Sequence, residues 1–495
     1  MTLLDLIALS PILDLGAFSI VTMLVLAIRR HHAAIAVFSF VSCLLTLAIL
    51  PWAATSTPRT VTALLIVDKY ALLYMGLLLS ATMVVISLSY RYLKLHFSEQ
   101  EGVEEYYLLL LLATFGGLVL TASAHFVSFF LGLEVLGVSL CSLIGYLRTR
   151  RHPLEAAVKY LLLSISASAF LLFGMALLYF ESGSMTFRGV GTVVERAQTV
   201  PGLWLGGFVL VLVGIALKLG LAPFHMWIPD VYQGAPTPIT AYIATVSKGA
   251  VIALLLRFAT DVGALKIDAL AHLFGLLAVS SMVTGNVLAL FQQNVKRLLA
   301  YSSIAHFGYL LVALLAGGSA AAEAVTFYVI AYCAMTLGAF GVVTVYSSER
   351  GDAERFEDYR GLFWTRPWLA AMLTLSLLSL AGIPVTAGFI GKFYAIAAGV
   401  DAGLWWLVLT LVGNSVISLY YYLRLIVTLF DDEPAPTTIP QGRAVQTTEA
   451  AGWTAVFSLG LVASIILLLG VYPEPLMEFI RDSVSNLLMV GMLRP

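Results

Sequence analysis

The sequence predicts an all-α polytopic membrane protein with about 14 transmembrane helices, and three observations lead to this fold class. Hydrophobic residues make up 60% of the chain, charged residues make up 11%, and the mean hydropathy is +0.96. Soluble globular chains are much less apolar. The apolar residues form runs of about 20, which is the length that crosses a bilayer as a helix. Two of these runs, the seventh and the twelfth, are interrupted by proline.

The apolar runs, numbered here as spans 1 to 14, are separated mostly by short loops. Only the loops 53–68, 181–201, 347–366 and 431–452 are long, and none has the composition of a soluble domain. The spans lie near 10–28, 33–52, 70–90, 105–122, 125–147, 153–180, 203–231 (broken), 237–258, 268–291, 296–316, 322–346, 367–400 (broken), 403–430 and 453–472. An even number of spans puts both termini on the same side of the membrane.

The distribution of Lys and Arg predicts which side that is, because cytoplasmic loops carry an excess of these residues. With the N-terminus outside, fifteen of the 27 Lys and Arg residues fall on the inner side, Lys296 among them, and eight on the outer side, including Arg257. The remaining four lie within spans: Lys159, Lys218, Lys248 and Lys392. The excess therefore predicts both termini on the outer, periplasmic side.

Charge and cysteine content exclude several other classes. A net charge of −1 gives no basic surface for nucleic acid. Cys43, Cys141 and Cys333 are far apart and each lies in an apolar run, so they indicate neither a disulfide framework nor a metal site. The chain has no glycine-rich nucleotide fingerprint after a strand and no cysteine cluster for an iron–sulfur centre. We therefore expect no cofactor and no metal in this chain.

The two broken spans suggest internal symmetry. Span 7 is interrupted at Leu221-Ala-Pro223 and span 12 at Gly382-Ile-Pro384. The breaks are five spans apart, so a repeat unit of five helices places each break fourth in its unit. Because five is odd, the second copy is inverted in the membrane. Paired broken helices of this kind indicate an inverted-repeat transporter with its site at the breaks. Chance placement of proline is the alternative, because membrane helices tolerate it.

This symmetry predicts four regions along the chain. Residues 1–104 form an N-terminal three-helix segment, and 105–258 form the first five-helix repeat, helices 4–8. Residues 259–430 form the second, inverted repeat, helices 9–13. Residues 431–495 contain a cytoplasmic loop, the last transmembrane helix and a tail.

Six ionisable residues inside the spans are the candidate site. A charge near the bilayer centre costs roughly 2.5–3.5 kcal/mol on insertion scales, so such residues usually face the bundle interior and mark an ion path. Most lie near mid-span or beside a break. The candidates are Glu134 in span 5, Lys159 in span 6, Lys218 just before the first break, Lys248 central in span 8, His306 central in span 10 and Lys392 just after the second break.

Such a row can support proton hopping. Removal from water favours the neutral form of an ammonium group, whereas a nearby carboxylate favours the charged form. Glu134 is the natural partner of Lys218 or Lys159, so forming and breaking the pair would switch the affinity of the lysine for its proton. Serines and trapped water would bridge the gaps. Structural roles are the alternative for Lys159, as an i,i+4 partner of Glu155, and for His306, as a helix-packing residue.

Three sequence motifs carry a family resemblance. They are Lys218-Leu-Gly-Leu-Ala-Pro-Phe-His-Met-Trp-Ile-Pro-Asp-Val-Tyr-Gln-Gly-Ala-Pro-Thr-Pro, then Tyr301-Ser-Ser-Ile-Ala-His-Phe-Gly-Tyr, and Ala381-Gly-Ile-Pro-Val-Thr-Ala-Gly-Phe-Ile-Gly-Lys-Phe-Tyr. Together they resemble the antiporter-like membrane subunits of bacterial proton-translocating NADH:quinone oxidoreductase, respiratory complex I. A lysine at position 392 resembles the subunit N branch of this family, since the subunit M branch has a glutamate at the corresponding position. The resemblance covers nearly the whole chain.

The resemblance implies a role for each candidate. Glu134 would be the carboxylate of the fifth helix and Lys218 its ion-pair partner, with Lys159 modulating the pair. Lys248 would be the central relay and Lys392 the terminal lysine of the second half-channel. His306 would be a relay at a linking position at which the antiporter-like subunits vary.

The resemblance also implies partners, location and activity. FMN, iron–sulfur clusters and quinone would bind other subunits of the complex, and this chain would lie among neighbouring antiporter-like and small membrane subunits in the bacterial inner membrane. It would move protons, driven by electron transfer from NADH to quinone elsewhere in the enzyme. Two alternatives are the D-type subunit of a multi-subunit Na⁺/H⁺ antiporter and a structural membrane scaffold whose charges only pair helices.

Overall fold

A computed structural model describes residues 2–97, 102–148, 150–196, 199–348, 351–431 and 452–489. Most of the predicted cytoplasmic loop 431–452 and the end of the predicted tail lie outside these residues. Of the fourth predicted region, 431–495, the structure therefore describes the last span and the helix that follows it.

The described chain is a bundle of helices in the predicted order. Spans 1 to 3 are α1 (Leu3–Ile28), α2 (His32–Ala54) and α3 (Lys69–His96). The next group is α4 (Glu105–Ala122), α5 (Phe126–Ile144), α6 (Arg151–Ser182), α7 (Phe187–Arg196), α8 (Gly202–Leu219), α9 (Trp227–Gly234), α10 (Thr237–Tyr242) and α11 (Lys248–Val262). The last group is α12 (Asp268–Leu290), α13 (Val295–Leu315), α14 (Gly318–Tyr346), α15 (Leu362–Thr365), α16 (Pro367–Ala381), α17 (Ala387–Asp401), α18 (Trp405–Leu429), α19 (Trp453–Val471) and α20 (Glu474–Met489).

These helices confirm the predicted fold class. Thirteen helices of the described residues are long and apolar enough to cross a membrane. They account for every predicted span except span 12, which the structure divides into α16 and α17, each of 15 residues. Span 8 is α10 and α11 joined by a π-helical turn at Ile243–Ser247.

The two broken spans end their first halves in the same way. Gly220 and Gly382 both adopt the left-handed conformation, with φ of +69° and +84°. The next residue then donates its backbone N–H five positions back, from Leu221 to Ala216 at 2.9 Å and from Ile383 to Leu378 at 3.0 Å. This is the glycine-capped helix end known as a Schellman motif. The shared motif supports the two-repeat division, which stays a prediction.

Backbone groups released by the first break are satisfied from a neighbouring helix. In a membrane, such groups need protein or water partners. The backbone N–H of Ala222 donates to Ser281 Oγ at 2.9 Å, and Ser280 Oγ donates to the Ala222 carbonyl at 2.9 Å. Both serines lie on α12, so the first break is held by a helix of the second predicted unit.

The second break is held by its own chain segments. Gly388 N–H donates to Ser379 Oγ at 3.0 Å, and Lys392 Nζ donates to the Ala381 carbonyl at 2.8 Å. The side chain of a candidate site residue therefore completes the backbone hydrogen bonding at this break.

Several short elements in the predicted loops and tail were missed, among them α15 in the loop 347–366. The loop 53–68 contains a hairpin of β1 (Arg59–Val61) and β2 (Leu65–Val67), with Arg59 opposite Val67. The loop 181–201 contains α7, and α20 follows span 14. The hairpin strands have three residues each and α7 has ten, so neither produces the long apolar run on which the prediction relied.

Two residues counted as loop cations are buried inside the bundle. Arg257 forms a bidentate pair with Asp68 at 2.8 and 2.9 Å, and its side chain is only 2% exposed. Lys296 is likewise buried against Asp352 at 2.7 Å. Placing both residues in loops was wrong, because each lies near a span end and its carboxylate partner is distant in sequence. They do not bear on the orientation of the chain.

Asp68→Asn should destabilise the fold strongly. Asparagine can still cap α3, as Asp68 does through the N–H of Ala71 at 2.8 Å, but Arg257 would stay buried without the carboxylate that pairs with it, at a cost of about 3–5 kcal/mol. We expect a lower unfolding temperature and less protein in the membrane. Asp482→Asn, which removes the exposed partner of Lys69, is the matched control and should change little. Equal behaviour of the two variants would contradict the stabilising role of the buried pair.

Candidate functional site

Lys248 lies at the centre of the bundle without a carboxylate partner among the described residues. It begins α11, directly after the π-helical turn, and is 1% exposed. Its Nζ donates to Ser303 Oγ at 2.7 Å and lies 4.6 Å from the ring centre of Phe307. A hydroxyl and an aromatic face therefore stabilise this ammonium group. Short π-helical turns inside α-helices are rare and frequent at functional sites.

A row of polar side chains leads from Lys248 toward His306. Tyr332 donates its hydroxyl to Ser303 Oγ at 2.8 Å, and its ring lies 5.6 Å from the imidazole of His306. His306 is 1% exposed and its Nδ1 is hydrogen-bonded to the Tyr328 hydroxyl at 2.8 Å. Helices α11, α13 and α14 thus bring Lys248, Ser303, Tyr332 and His306 into one polar cluster.

The row continues from His306 toward Lys392. Tyr309 lies between them, with its ring 5.5 Å from the imidazole and 5.2 Å from Lys392 Nζ. The Tyr309 hydroxyl accepts a hydrogen bond from Asn286 at 2.8 Å. On the other side of the imidazole, Nε2 lies 3.4 Å from the Tyr422 hydroxyl. Lys392 is 5% exposed, so the whole stretch from Lys248 to Lys392 is enclosed in protein.

Lys218 and Glu134 are each bound to a serine of α6. Lys218 Nζ donates to Ser164 Oγ at 2.6 Å, and Ser168 Oγ donates to a carboxylate oxygen of Glu134. The two serines are one helical turn apart and share a face of α6. The ion pair expected between Lys218 and Glu134 is absent from the described residues, where each of the two groups is hydrogen-bonded to a serine of α6 instead.

Lys218 nevertheless reaches the helix that carries Glu134. A Cβ atom at Gly137, one turn after Glu134 on α5, would lie 3.4 Å from Lys218 Nζ. The missing side chain at Gly137 gives the ammonium group room beside α5.

Lys159 is further from this pair than the sequence suggested. It forms the predicted i,i+4 pair with Glu155 at 2.9 Å and a second pair with Asp230 at 2.8 Å, and its side chain is 42% exposed. These residues line a cavity of about 660 Å³ at the end of the bundle that holds Arg150 and Arg151. The expectation that Lys159 could be the partner of Glu134 was wrong in this structure, since Lys159 faces the cavity and its two carboxylates.

Asp352 fixes one wall of the same cavity. It lies in the connection between α14 and α15, and its carboxylate accepts hydrogen bonds from Tyr92, Thr237 and Lys296 at 2.8, 2.6 and 2.7 Å. Burial alone would raise the pKa of Asp352, but the Lys296 charge and these hydrogen bonds outweigh burial and hold the pKa below its usual value of 3.8. Asp352 is therefore a permanent anion near neutral pH.

The structure adds uncharged residues that the search for buried charges missed. They are Ser164, Ser168, Tyr328, Tyr332 and Tyr422. The serine pattern of span 6, Ser164-Ile-Ser-Ala-Ser168, was the available signal. No direct hydrogen bond joins Lys218 to Lys248 in the part of the chain that the structure describes, so the row has two sections.

Comparison with known proteins identifies related chains. Residues 123–418 match the family model described as NADH:quinone oxidoreductase/Mrp antiporter, TM. The chain is 47% identical to NADH-quinone oxidoreductase subunit N of Ectopseudomonas mendocina, over 97% of this chain and 96% of the relative. It is 46% identical to the protein of the same name from Methylococcus capsulatus, over 97% and 95%.

Solved structures share the fold over nearly the whole chain. A chain of respiratory complex I from Thermus thermophilus with bound aureothin superposes with a TM-score of 0.80 at 32% identity, covering 96% of this chain and all of that one. A chain of the Mrp complex from Dietzia sp. gives a TM-score of 0.85 at 19% identity, covering 98% of both. At that identity the second match shows the fold alone.

Asp352→Asn should destabilise the protein in a pH-dependent way. Because the pKa of Asp352 is lower in the folded than in the unfolded chain, its contribution is fully present above the unfolded value, about pH 4, and is lost as the pH falls through the folded value. We expect the variant to unfold at a lower temperature than the unaltered protein at pH 7, with the difference narrowing below about pH 4. Thermal unfolding across pH measures this, and a difference independent of pH would contradict it.

Proposed function

Since the chain belongs to the NADH:quinone oxidoreductase/Mrp antiporter membrane family, and within it to the subunit N group of NADH-quinone oxidoreductase, we propose that it carries protons along the two buried sections described above. The protein is a multi-pass membrane subunit of this enzyme complex and takes part in its proton translocation. The proposal concerns which residues carry the protons and how their passage is switched.

The enclosed row from Lys248 to Lys392 is the observation that carries this proposal. A hydroxyl both donates and accepts a hydrogen bond, and an imidazole has a separate donor or acceptor at each nitrogen. A proton released by Lys248 can therefore pass to Ser303 Oγ, while Ser303 gives its own hydrogen to the Tyr332 oxygen once the Tyr332 hydroxyl has rotated from donor to acceptor. Tyr332, His306 and Tyr309 extend the polar path toward Lys392, with water bridging the contacts that are too long for direct transfer.

The serine-held pair of Lys218 and Glu134 is proposed to be the switch. When the two groups meet, the carboxylate favours the charged lysine, and the lysine keeps its proton. When Ser164 and Ser168 hold them apart, as in this structure, burial favours the neutral lysine and a proton can move toward Lys248. The 2.6 Å contact between Lys218 and Ser164 supports the separated state of this switch.

The energy for switching would come from partner subunits. FMN, iron–sulfur clusters and quinone are proposed to bind there, with electron transfer from NADH to quinone displacing the charged groups of this chain. The chain would lie in the bacterial inner membrane with both termini on the periplasmic side, so that the cavity beside Lys159 opens to the cytoplasm. The Na⁺/H⁺ antiporter alternative shares only the fold with the Mrp complex chain, at 19% identity, whereas the 46–47% identity to subunit N proteins favours the proposed function.

Lys248→Ala should abolish proton pumping by the intact complex. The substitution removes the ammonium group that donates to Ser303 Oγ at the start of the second section, and it leaves a buried position that an apolar side chain tolerates. NADH-driven acidification of inside-out membrane vesicles measures pumping, and a native gel measures assembly. Lys266→Ala, which removes an exposed lysine in the connection after α11, is the control and should pump normally. Normal pumping by Lys248→Ala in an assembled complex would favour the scaffold alternative.

Ser303→Ala should slow pumping several-fold without abolishing it. The variant deletes the hydroxyl shared by Lys248 and Tyr332, so the proton must take a longer route through water. Ser376→Ala is the matched control, because Ser376 is a buried serine of α16 whose hydroxyl donates to the Met372 carbonyl and has no other hydrogen-bond partner among the described residues. If both variants reduce the pumping rate equally in the same vesicle assay, Ser303 has no special place in the path.

A further inference from the structure

One carboxylate joins the two predicted five-helix units at the cavity. Asp230 Oδ2 accepts from Lys159 Nζ at 2.8 Å, and Asp230 Oδ1 accepts from Arg297 Nη1 at 2.8 Å. Lys159 belongs to α6 of the first unit and Arg297 to α13 of the second. Asp230 itself lies on α9, the short helix after the first break. It therefore belongs to a broken span and binds a cation from each of the two units.

We propose that Asp230 is a positioning residue that couples the protonation switch of the first unit to the polar row of the second. The inference rests on the proposed function. In this arrangement, Asp230 holds Lys159 and Arg297 in one geometry, and a shift of the carboxylate from one cation to the other moves α6 relative to α13. No proton needs to pass through Asp230 itself.

Both ends of this link lead to the proposed path. Lys159 is on the same helix as Ser164 and Ser168, which hold Lys218 and Glu134. Arg297 is on the same helix as Ser303 and His306, which form the second section. Rigid helices transmit a displacement along their length, so the ion pairs at the cavity are connected mechanically to both groups of relay residues.

The exposure of these charges suits a switch better than a fixed support. The side chains of Lys159, Asp230 and Arg297 are 42%, 35% and 28% exposed, and ion pairs in contact with solvent are weak and exchange readily. The neighbouring pair of Lys296 and Asp352 is 1% and 6% exposed, which makes it the fixed part of the same wall. The cavity wall thus contains the exchangeable ion pairs of Asp230 beside the fixed, buried pair of Lys296 and Asp352.

The chain offers a close control for the adjustable link. Glu155 also binds Lys159, at 2.9 Å, but it makes no contact with Arg297 among the described residues. Asp230→Asn and Glu155→Gln each remove one negative charge beside Lys159, and only the first separates Lys159 from Arg297. Arg297 retains Gln233 Oε1 at 3.1 Å in either case.

The test uses the assembled complex in inside-out vesicles, with pumping expressed per assembled complex from a native gel. We expect Asp230→Asn and Arg297→Gln each to reduce pumping about three- to ten-fold, the double variant to be no worse than either single variant, and Asp230→Glu to restore most of the rate. Pumping by the Glu155→Gln variant should fall by less than two-fold. These results would support the coupling role, since non-additivity shows that the two residues act through one contact.

Several outcomes would overturn the inference. They are equal loss in Asp230→Asn and Glu155→Gln, additive loss in the double variant, or a loss that disappears when pumping is normalised to assembled complex. Lys248→Ala separates this failure from failure of the proposed function. If Lys248→Ala loses pumping while Asp230→Asn keeps it, only the coupling role of Asp230 is contradicted. If Lys248→Ala still pumps, both the proposed function and the coupling role lose their basis.

Discussion

An ammonium group buried at the centre of the bundle, with no carboxylate partner in the part of the chain that the structure describes, is the constraint on which the rest of the structure depends. Lys248 is 1% exposed and is stabilised by the Ser303 hydroxyl and the Phe307 ring. Burial penalises the charged state of such a group, and only dipoles and aromatic faces offset that penalty here. The balance between charged and neutral lysine is therefore set by its surroundings, and a small change nearby can tip it. That is what a proton relay needs and what a structural support does not.

The two broken spans use one backbone motif but leave their lysines in different situations. Serines of α12 satisfy the first break, so Lys218 is free to bind Ser164 and to approach α5. At the second break, Lys392 itself donates to the Ala381 carbonyl. The first lysine is thus placed to change partners, while the second is tied to the backbone at the end of the row. This difference fits a switch at one end of a path and a terminal site at the other.

The fold and the charged residues of the site could be predicted from the sequence, because an apolar run of about 20 residues and a lysine inside it are strong local signals. The breaks in spans 7 and 12 could likewise be predicted from Pro223 and Pro384. Contacts between distant segments could not be predicted. Arg257 and Lys296 looked like loop residues because each lies near a span end and its carboxylate partner is 189 or 56 positions away, respectively. Serine and tyrosine partners were missed for another reason: uncharged polar residues are common in membrane helices, and only the packing shows which of them face a lysine.

Ordered water provides the most direct test of a proton path through this subunit, because the two sections of the row need a bridge. The measurement is a density map of the intact complex at a resolution that shows individual water molecules. Proton transfer predicts water connecting Lys218 with Lys248, and further water joining His306, Tyr422 and Lys392. Apolar side chains packed tightly between these lysines, with each ammonium group hydrogen-bonded only to its own protein partner, would contradict it.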